Sequence, residues 1–438
     1  MAFYTLGCKV NQQETAAVEV LFRERGYEVV GFQGEADVYV INTCTVTHLA
    51  DRKSRQMIRR AVGRNPDAVV AVMGCYAQIN PEEVLSIPGV NVVVGTQDRG
   101  RVVELVEAAG REKAKINAVR SIPPDAVFEQ LPLPDNRSRT RAFLKIQDGC
   151  DQYCAYCIIP YARGPLRSLP PGAVRERVER LLALGYREIV LTGIHTSAYG
   201  RDLTGGVTLA GLLRDVSGIP GEFRLRLSSV EPADVTEELL EIMASSKKIC
   251  RHLHIPLQSG DDEVLKRMGR PYTAEEYRAL FDKACARIPG LAVTTDVMVG
   301  FPGETEEEFE NTYRFISSLP FRDLHVFKYS PRPGTLAAAM PGQVPPEVKE
   351  RRSNCLLALA DQLARSFAER FVGSVMTVLV ERRAAGKHRW EGLTDNYLRV
   401  VFSCPGRMEE LKGAFLDVRI TGLEEGDLLL GEPVGPPP

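Results

Sequence analysis

Short apolar runs alternate with amphipathic stretches along most of this chain, and the alternation predicts its layout. Phe3 to Leu6 reads as a strand, Glu14 to Arg25 as a helix stopped by Gly26, Val38 to Ile41 as a strand and Leu49 to Val62 as a helix. Ala68 to Met73 is a third strand, Pro81 opens another helix, and Val92 to Val94 closes the pattern. Strand alternating with helix predicts a doubly wound parallel sheet. A Pro-rich linker from Ile122 to Pro134 follows. Six more strands are expected near Ala142–Ile146, Glu188–Leu191, Phe223–Leu227, His252–Leu257, Ala292–Val299 and Asp323–Phe327, with helices such as Ala173–Leu184 and Glu304–Ser318 between them. Six βα units cannot close an eight-stranded barrel, so a laterally open, partial (β/α)6 barrel is predicted, with its site at the carboxyl ends of the strands. The period then shortens. Ser374–Val380, Tyr397–Phe402, Phe415–Thr421 and Leu428–Leu430 are short strands with Gly-rich turns, which predicts a small all-β barrel. The fold class is α/β, with domains at 1–116, 138–370 and 371–438 and a linker at 117–137.

Composition changes this picture little. The chain has 438 residues, 44% hydrophobic and 26% charged, which suits about three globular domains of roughly 150 residues each. A net charge of −2 means that any nucleic-acid surface has to be local. The first residues read as a strand rather than a signal peptide, and no run of about 18 apolar residues predicts a membrane span. Ten cysteines without a secretion signal suggest a reducing cytoplasm, where cysteines serve metals or catalysis more than disulfides.

The cysteines carry the chemistry. Cys150, Cys154 and Cys157 have the spacing C-x3-C-x2-C, in a loop leaving the Ala142–Ile146 strand. Three thiolates can hold three irons of a four-iron–four-sulfur cluster and leave the fourth open to a small molecule. Zinc is the plainer alternative, but it usually takes two C-x2-C pairs, and no second pair follows. Cys8, Cys44 and Cys75 each follow a predicted strand of the first sheet. Ligand sites form at that edge of an open α/β sheet, so three cysteines at equivalent positions point to a second three-thiolate cluster. A lone cysteine is more commonly a small buried hydrophobe, and that reading suits Cys250, Cys285, Cys355 and Cys404.

Basic residues form three local groups. Between Arg382 and Arg407, six basic residues face two acidic ones, a balance of +4, with the only tryptophan among them. Arg382, Arg383, Lys387 and Arg389 around Trp390 are candidates for phosphate contact and base stacking. Arg52, Arg55 and Arg59 would share one helix face after Cys44, and Arg163 and Arg167 follow the second cysteine group. A solvated charged face is the ordinary alternative for such runs.

The C-x3-C-x2-C loop, with Tyr156 before its last cysteine, resembles that of the radical S-adenosylmethionine (SAM) enzymes. The Leu6-Gly7-Cys8-Lys9-Val10-Asn11, Asn42-Thr43-Cys44, Met73-Gly74-Cys75, Ser228-Ser229-Val230-Glu231-Pro232 and Gly300-Phe301-Pro302-Gly303 segments extend the likeness to the methylthiotransferases over essentially the whole chain. The form of the first motif resembles that of the bacterial tRNA N6-threonylcarbamoyladenosine enzymes, although Gln13 stands where tyrosine is expected. The resemblance implies an auxiliary-cluster domain, a radical SAM domain and a C-terminal TRAM domain. It implies two 4Fe-4S clusters, one on Cys8, Cys44 and Cys75 and one on Cys150, Cys154 and Cys157, with SAM as both methyl donor and radical source. Tyr156 would contact SAM, with Ser228, Glu231, Gln258 and Asp296 as further candidates, for which strand-end capping is the ordinary alternative. The implied partners are the tRNA anticodon loop and an electron donor such as flavodoxin or ferredoxin, acting on a cytoplasmic monomer. The rival readings are a methylthiotransferase for isopentenyladenosine or a ribosomal-protein aspartate, and a non-catalytic RNA-binding iron–sulfur redox sensor.

Overall fold

The computed structural model describes residues 1–134, 140–385, 388–404 and 411–435. The first sheet contains β1 (Ala2–Thr5), β2 (Val38–Thr43), β3 (Val69–Gly74), β4 (Val90–Val94) and the two-residue β5 (Ile116–Asn117), all parallel and in that order. A short extended segment at Val30 bridges to Ala2 on the outer side of β1. The chain therefore leaves β1 toward one edge and β2 toward the other, and the crevice between such strands is where ligands bind in open sheets. Apolar side chains cover both faces. The Lys9–Glu24 and Val102–Glu112 helices pack on one, through Val18, Phe22, Val102 and Val106, and the His48–Arg64 helix packs on the other through Ile58 and Ala61. The first helix begins at Lys9, well before the expected Glu14, because Cys8 is already extended and serves as its N-cap.

The second unit opens with β6 (Arg141–Lys145), followed by a small antiparallel ladder of β7 (Gln147–Asp148) and β8 (Arg167–Ser168). Strands β9 (Glu188–Thr192) and β10 (Arg224–Leu227) join β6 in parallel, in the order β10-β9-β6. Strands β11 (His252–His254), β12 (Ala292–Val299) and β13 (Asp323–Lys328) form a second parallel group, and the Leu225–Ile249 and Ser229–His254 bridges set it beside β10. The result is the expected laterally open array of six strands. Alternation along each strand decides what lies inside. Leu225 and Leu227 face the helices in the large apolar core, and Arg224, Arg226 and Ser228 take the opposite face.

The C-terminal unit is a closed barrel of β14 (Val375–Arg383), β15 (Arg389–Thr394), β16 (Arg399–Ser403), β17 (Phe415–Leu423) and β18 (Leu429–Pro433). β15 was not expected, because the charged Arg389 and Glu391 and the Gly392 break up its buried positions Trp390, Gly392 and Leu393. Trp390 is only 4% exposed and packs with Val378, Val400 and Phe402. The barrel docks on the strands of the second unit by ion-to-carbonyl bonds. Arg224 donates to the Leu393 and Thr377 carbonyls at 3.1 and 2.6 Å, and Arg226 to that of Asp395 at 2.9 Å.

The described part of the Pro-rich segment packs against both units. Ala118 donates to the Val93 carbonyl, Ile122 lies against Gly164, and Leu131 and Leu133 are buried. Trp390 is a core residue of the barrel, so base stacking on its ring is not available. Trp390→Ala is expected to destabilise the barrel by about 3–5 kcal/mol, the usual cost of emptying so large a core site. Denaturant unfolding followed by circular dichroism measures it.

Candidate active site

The first cysteine set forms where β1, β2 and β3 end. Cys8 is exposed and caps the Lys9–Glu24 helix, Cys44 is buried just after β2, and Cys75 is buried at the start of the Cys75–Ile79 helix. Two glycines make the approach possible. Gly7 has φ +104°, and a Cβ there would lie 3.0 Å from the Cys44 Cβ and 3.3 Å from its sulfur. Gly74 has φ +99°, and its Cβ would meet Asn42 Oδ1 at 2.3 Å. Burial pushes the Cys44 thiol up to about 12, and neighbouring Cys75 and Cys8 push the same way. Burial also raises the Cys75 thiol, against the pull of Arg163. A bound cation would take these buried thiols as thiolates.

The second set lies on the loop after β7. Ala155 donates to the Met268 carbonyl at 2.9 Å, Cys157 to that of Cys154 at 2.9 Å, and Cys150 to that of Gly164 at 3.1 Å. Arg270 is the residue that sequence reading missed. It is 6% exposed, donates to the Cys154 sulfur at 3.3 Å, and forms an ion pair with Glu231. His195 reaches Cys150 at 3.9 Å through Nδ1 and Asp234 at 2.9 Å through Nε2. Burial by itself would lower the His195 imidazolium, but Asp234 and Cys150 outweigh it and lift the group to about 9. Tyr156 packs against the apolar cluster that contains Met268 and Phe301, and burial raises its hydroxyl well above the ordinary value.

A buried ion network joins the two sets. Arg163, six residues after Cys157, is fully buried. Its Nε donates to the Cys75 sulfur at 3.3 Å, its Nη1 to Glu14 at 2.6 Å and Asp148 at 3.3 Å, and its Nη2 to Asn11 Oδ1 at 2.6 Å. Lys145 also donates to Glu14, at 2.8 Å, and pairs with Asp148, while Arg99 pairs with Glu14 and with Glu129 of the Pro-rich segment. Arg163 and Arg167 are therefore not an RNA-facing pair. They lie in the interior because their carboxylate partners do. Burial opposes ionisation of both Glu14 and Asp148, but Arg163, Arg99 and Lys145 hold both carboxyls well below the ordinary range.

A cavity of about 1000 Å³ lies inside the open barrel. Cys8 and Lys9 line it from the first sheet, Ser228, His254 and Asp296 from the strands, and Arg382, Tyr397 and Arg399 from the C-terminal barrel. Asp296 accepts from His254 and His325 at 3.2 Å each, and the two rings hold its carboxyl well below the usual range against the effect of burial. Ser228 bonds Thr196 at 2.7 Å. Glu231, Gln258 and Tyr156 lie outside the cavity lining, nearer the Cys150–Cys157 loop; Gln258 has φ +67° and donates its N–H to the Asp296 carbonyl. Of the expected RNA contacts, Arg382 and Arg389 pair with Glu391 and Glu424, Arg383 lies over the Trp390 ring, and Lys387 falls outside the described residues. On the His48–Arg64 helix, Arg52 and Arg59 are exposed, while Arg55 bonds Tyr76 and Glu83.

Residues 144–316 match the radical SAM superfamily, and residues 1–95 match an uncharacterized protein family, UPF0004. Threonylcarbamoyladenosine tRNA methylthiotransferase MtaB of Bacillus subtilis is 49% identical over 96% of this chain and 93% of its own length. The enzyme of that name from Aquifex aeolicus is 39% identical over 91% of this chain and 96% of its own. The chain belongs to the radical SAM tRNA methylthiotransferase family. A tRNA-2-methylthio-N(6)-dimethylallyladenosine synthase from Moorella thermoacetica is 35% identical over 98% of this chain and 97% of its own. In fold, the chain is similar to the radical SAM methyltransferase TsrM of Kitasatospora setae, with a TM-score of 0.56, 17% identity, and coverage of 77% of this chain and 76% of that one. No helix among the described residues is long and apolar enough to cross a membrane.

Enzymes of this family work with SAM and 4Fe-4S clusters, and the donor sets here suit such clusters. Each offers three soft sulfur ligands, and each has an arginine on one sulfur to balance thiolate charge. Removing the charge of Arg163 tests the link between them. Arg163→Gln should leave Glu14 and Asp148 undercompensated and cost about 3–5 kcal/mol. Denaturant unfolding of the iron-free protein measures the loss.

Proposed function

We propose that this protein adds a methylthio group to C2 of N6-threonylcarbamoyladenosine at position 37 of tRNA. The observation that carries the reading is the pairing of two three-cysteine sets, one of which reaches the wall of the barrel cavity through Cys8. The similarity to the Bacillus subtilis enzyme over nearly the whole chain supports the choice of nucleoside. Three domains, at 1–116, 138–370 and 371–438 with a linker at 117–137, divide the work, with residue 138 outside the described residues. We place the protein in the cytoplasm, as a monomer served by an electron donor of the flavodoxin or ferredoxin kind.

Cys150, Cys154 and Cys157 would hold one cluster, and Cys8, Cys44 and Cys75 the other. A cluster held there would supply the electron for radical chemistry on SAM, which an unactivated aromatic C–H requires. The remaining tasks fall to the chain. Arg270 fixes Cys154 and Glu231 relative to each other, and His195, bonded to Asp234 at 2.9 Å, lies 3.9 Å from the Cys150 sulfur. Tyr156, Ser228, Glu231, Gln258 and Asp296 are the residues we assign to SAM. The cavity admits the target base once it leaves its stack, which a single-stranded anticodon loop permits at small cost. Arg382, Arg383, Lys387 and Arg389 are the residues we assign to the phosphates of the loop, and of these Arg382 lines the cavity.

Cys154→Ala is expected to lose about half the iron and all 5′-deoxyadenosine formation. Cys44→Ala should still cleave SAM but form no methylthiolated nucleoside. Iron analysis and mass spectrometry of tRNA nucleosides after anaerobic reaction report both. Methylthio product from Cys44→Ala would remove the first triad from sulfur transfer, and SAM cleavage by Cys154→Ala would remove the second from radical formation. The rival redox-sensor reading predicts no 5′-deoxyadenosine from the intact protein.

Neutralising Arg382, Arg383 and Arg389 together should weaken tRNA binding and flatten its salt dependence. Each lost phosphate contact lowers the log–log slope by roughly 0.7–0.9. Electrophoretic titrations at several salt concentrations measure it, and an unchanged slope would move the phosphate site elsewhere, with the exposed Arg52 and Arg59 as the next candidates.

A further inference from the structure

The cavity holds five fixed cations, and four of them are already engaged. Arg141 is paired with Glu381 at 2.6 Å, Arg322 with Asp427, and Arg382 with Glu391 at 2.9 Å; Arg399 lies 3.9 Å from the same Glu391. The two imidazoles His254 and His325 share Asp296. A third, His252, stacks on Tyr397 at 4.9 Å between ring centroids, and burial depresses its pKa so far that it stays neutral. Lys9 is the exception. Among the described residues its side chain has no hydrogen bond or ion pair, although it lines the cavity and is partly withdrawn from water. An ammonium ion in such a place is poorly solvated and lacks a counterion, so it favours an anionic guest.

The guest in the proposed reaction has such a group. The threonylcarbamoyl substituent ends in a free carboxylate. In adenine, C2 and C6 flank N1, so the atom that receives sulfur and the nitrogen that carries the substituent lie on one edge of the base. Lys9 directly follows Cys8, the one exposed cysteine of the first triad. A base presenting C2 toward Cys8 therefore presents its N6 substituent toward the neighbouring residues. The Lys9–Glu24 helix has no acidic residue in its first turn to compete for the ammonium or repel the anion.

We propose that Lys9 binds the free carboxylate of the N6-threonylcarbamoyl group and is thereby the residue that selects this nucleoside, an inference resting on the substrate assignment above. The competing anion of the same chemistry is a backbone phosphate of the RNA, and the test separates the two. The full chain, with both clusters reconstituted anaerobically, is titrated at fixed salt with anticodon stem-loops differing only at position 37. One carries N6-threonylcarbamoyladenosine and the other its methyl ester, which removes the charge but keeps the shape and every phosphate.

The wild-type protein is expected to bind the acid over the ester by on the order of tenfold or more, as befits one charge-assisted bond. Lys9→Met should bring that ratio close to 1, and Lys9→Arg should retain most of it. A ratio unchanged in Lys9→Met overturns the proposal, whether Lys9 then serves a phosphate, which would weaken both RNAs alike, or only the fold. A wild-type ratio near 1 overturns it as well. Failure of the substrate assignment reads differently: wild-type protein would give no methylthiolated product from threonylcarbamoyladenosine tRNA, whatever its binding ratio.

Discussion

The buried charge network around Arg163 is the constraint on which the rest of this structure depends. Arg163, Arg99 and Lys145 converge on Glu14 and Asp148 with almost no exposure. Removing such charges from water is costly, and the arrangement holds only with every partner in place. Those partners come from four places: the first helix, the turn after β4, the strand leading to the second cysteine loop, and the residues following that loop. The network thus works as a lock between the two units that carry the cysteine sets. The bond from Arg163 to the Cys75 sulfur carries the lock directly to one of the thiols.

Smaller ties repeat the design. Thr96 donates to the Ala162 carbonyl at 2.7 Å, and Arg332, after β13, reaches Thr45 and Asp51 beside Cys44 at 2.7 Å each. The C-terminal barrel is held differently, by guanidinium groups from β10 bonded to its backbone carbonyls. The cavity exists only because all three units meet, since each supplies part of its lining. A site built from separate units can enclose a base and exclude water without burying the RNA that carries it.

Much of this was legible in the chain. Regular alternation of strand-like and amphipathic helical stretches locates all six barrel strands to within a few residues, because some read as continuous apolar runs and others, such as β10, as alternating apolar and polar positions. The C-x3-C-x2-C spacing and the three strand-end cysteines also stand out, since local spacing and position relative to a strand are properties of the sequence. Failures came where one residue type serves two purposes. Trp390 beside arginines reads as an RNA surface, yet it fills a barrel core, and Arg163 and Arg167 read only as a basic element after the second cysteine group, with nothing to mark them as interior. Arg270 gave no signal at all, because its importance comes from contact with Cys154 across 116 residues of chain.

The sequence by itself determined the elements, their order, the two cysteine sets and the family to which they belong. Periodicity, local spacing and short motifs encode those features, and none needs a distant partner. Only the tertiary structure decided which charges are paired. It put Arg163 between the triads, shared Asp296 between two histidines, and left Lys9 facing the cavity without an ion-pair partner among the described residues. The physical reason is the range of the interactions. Burial and ion pairing depend on what the fold brings within a few ångströms, and residues that distant in sequence carry no mark of one another until the chain has closed around them.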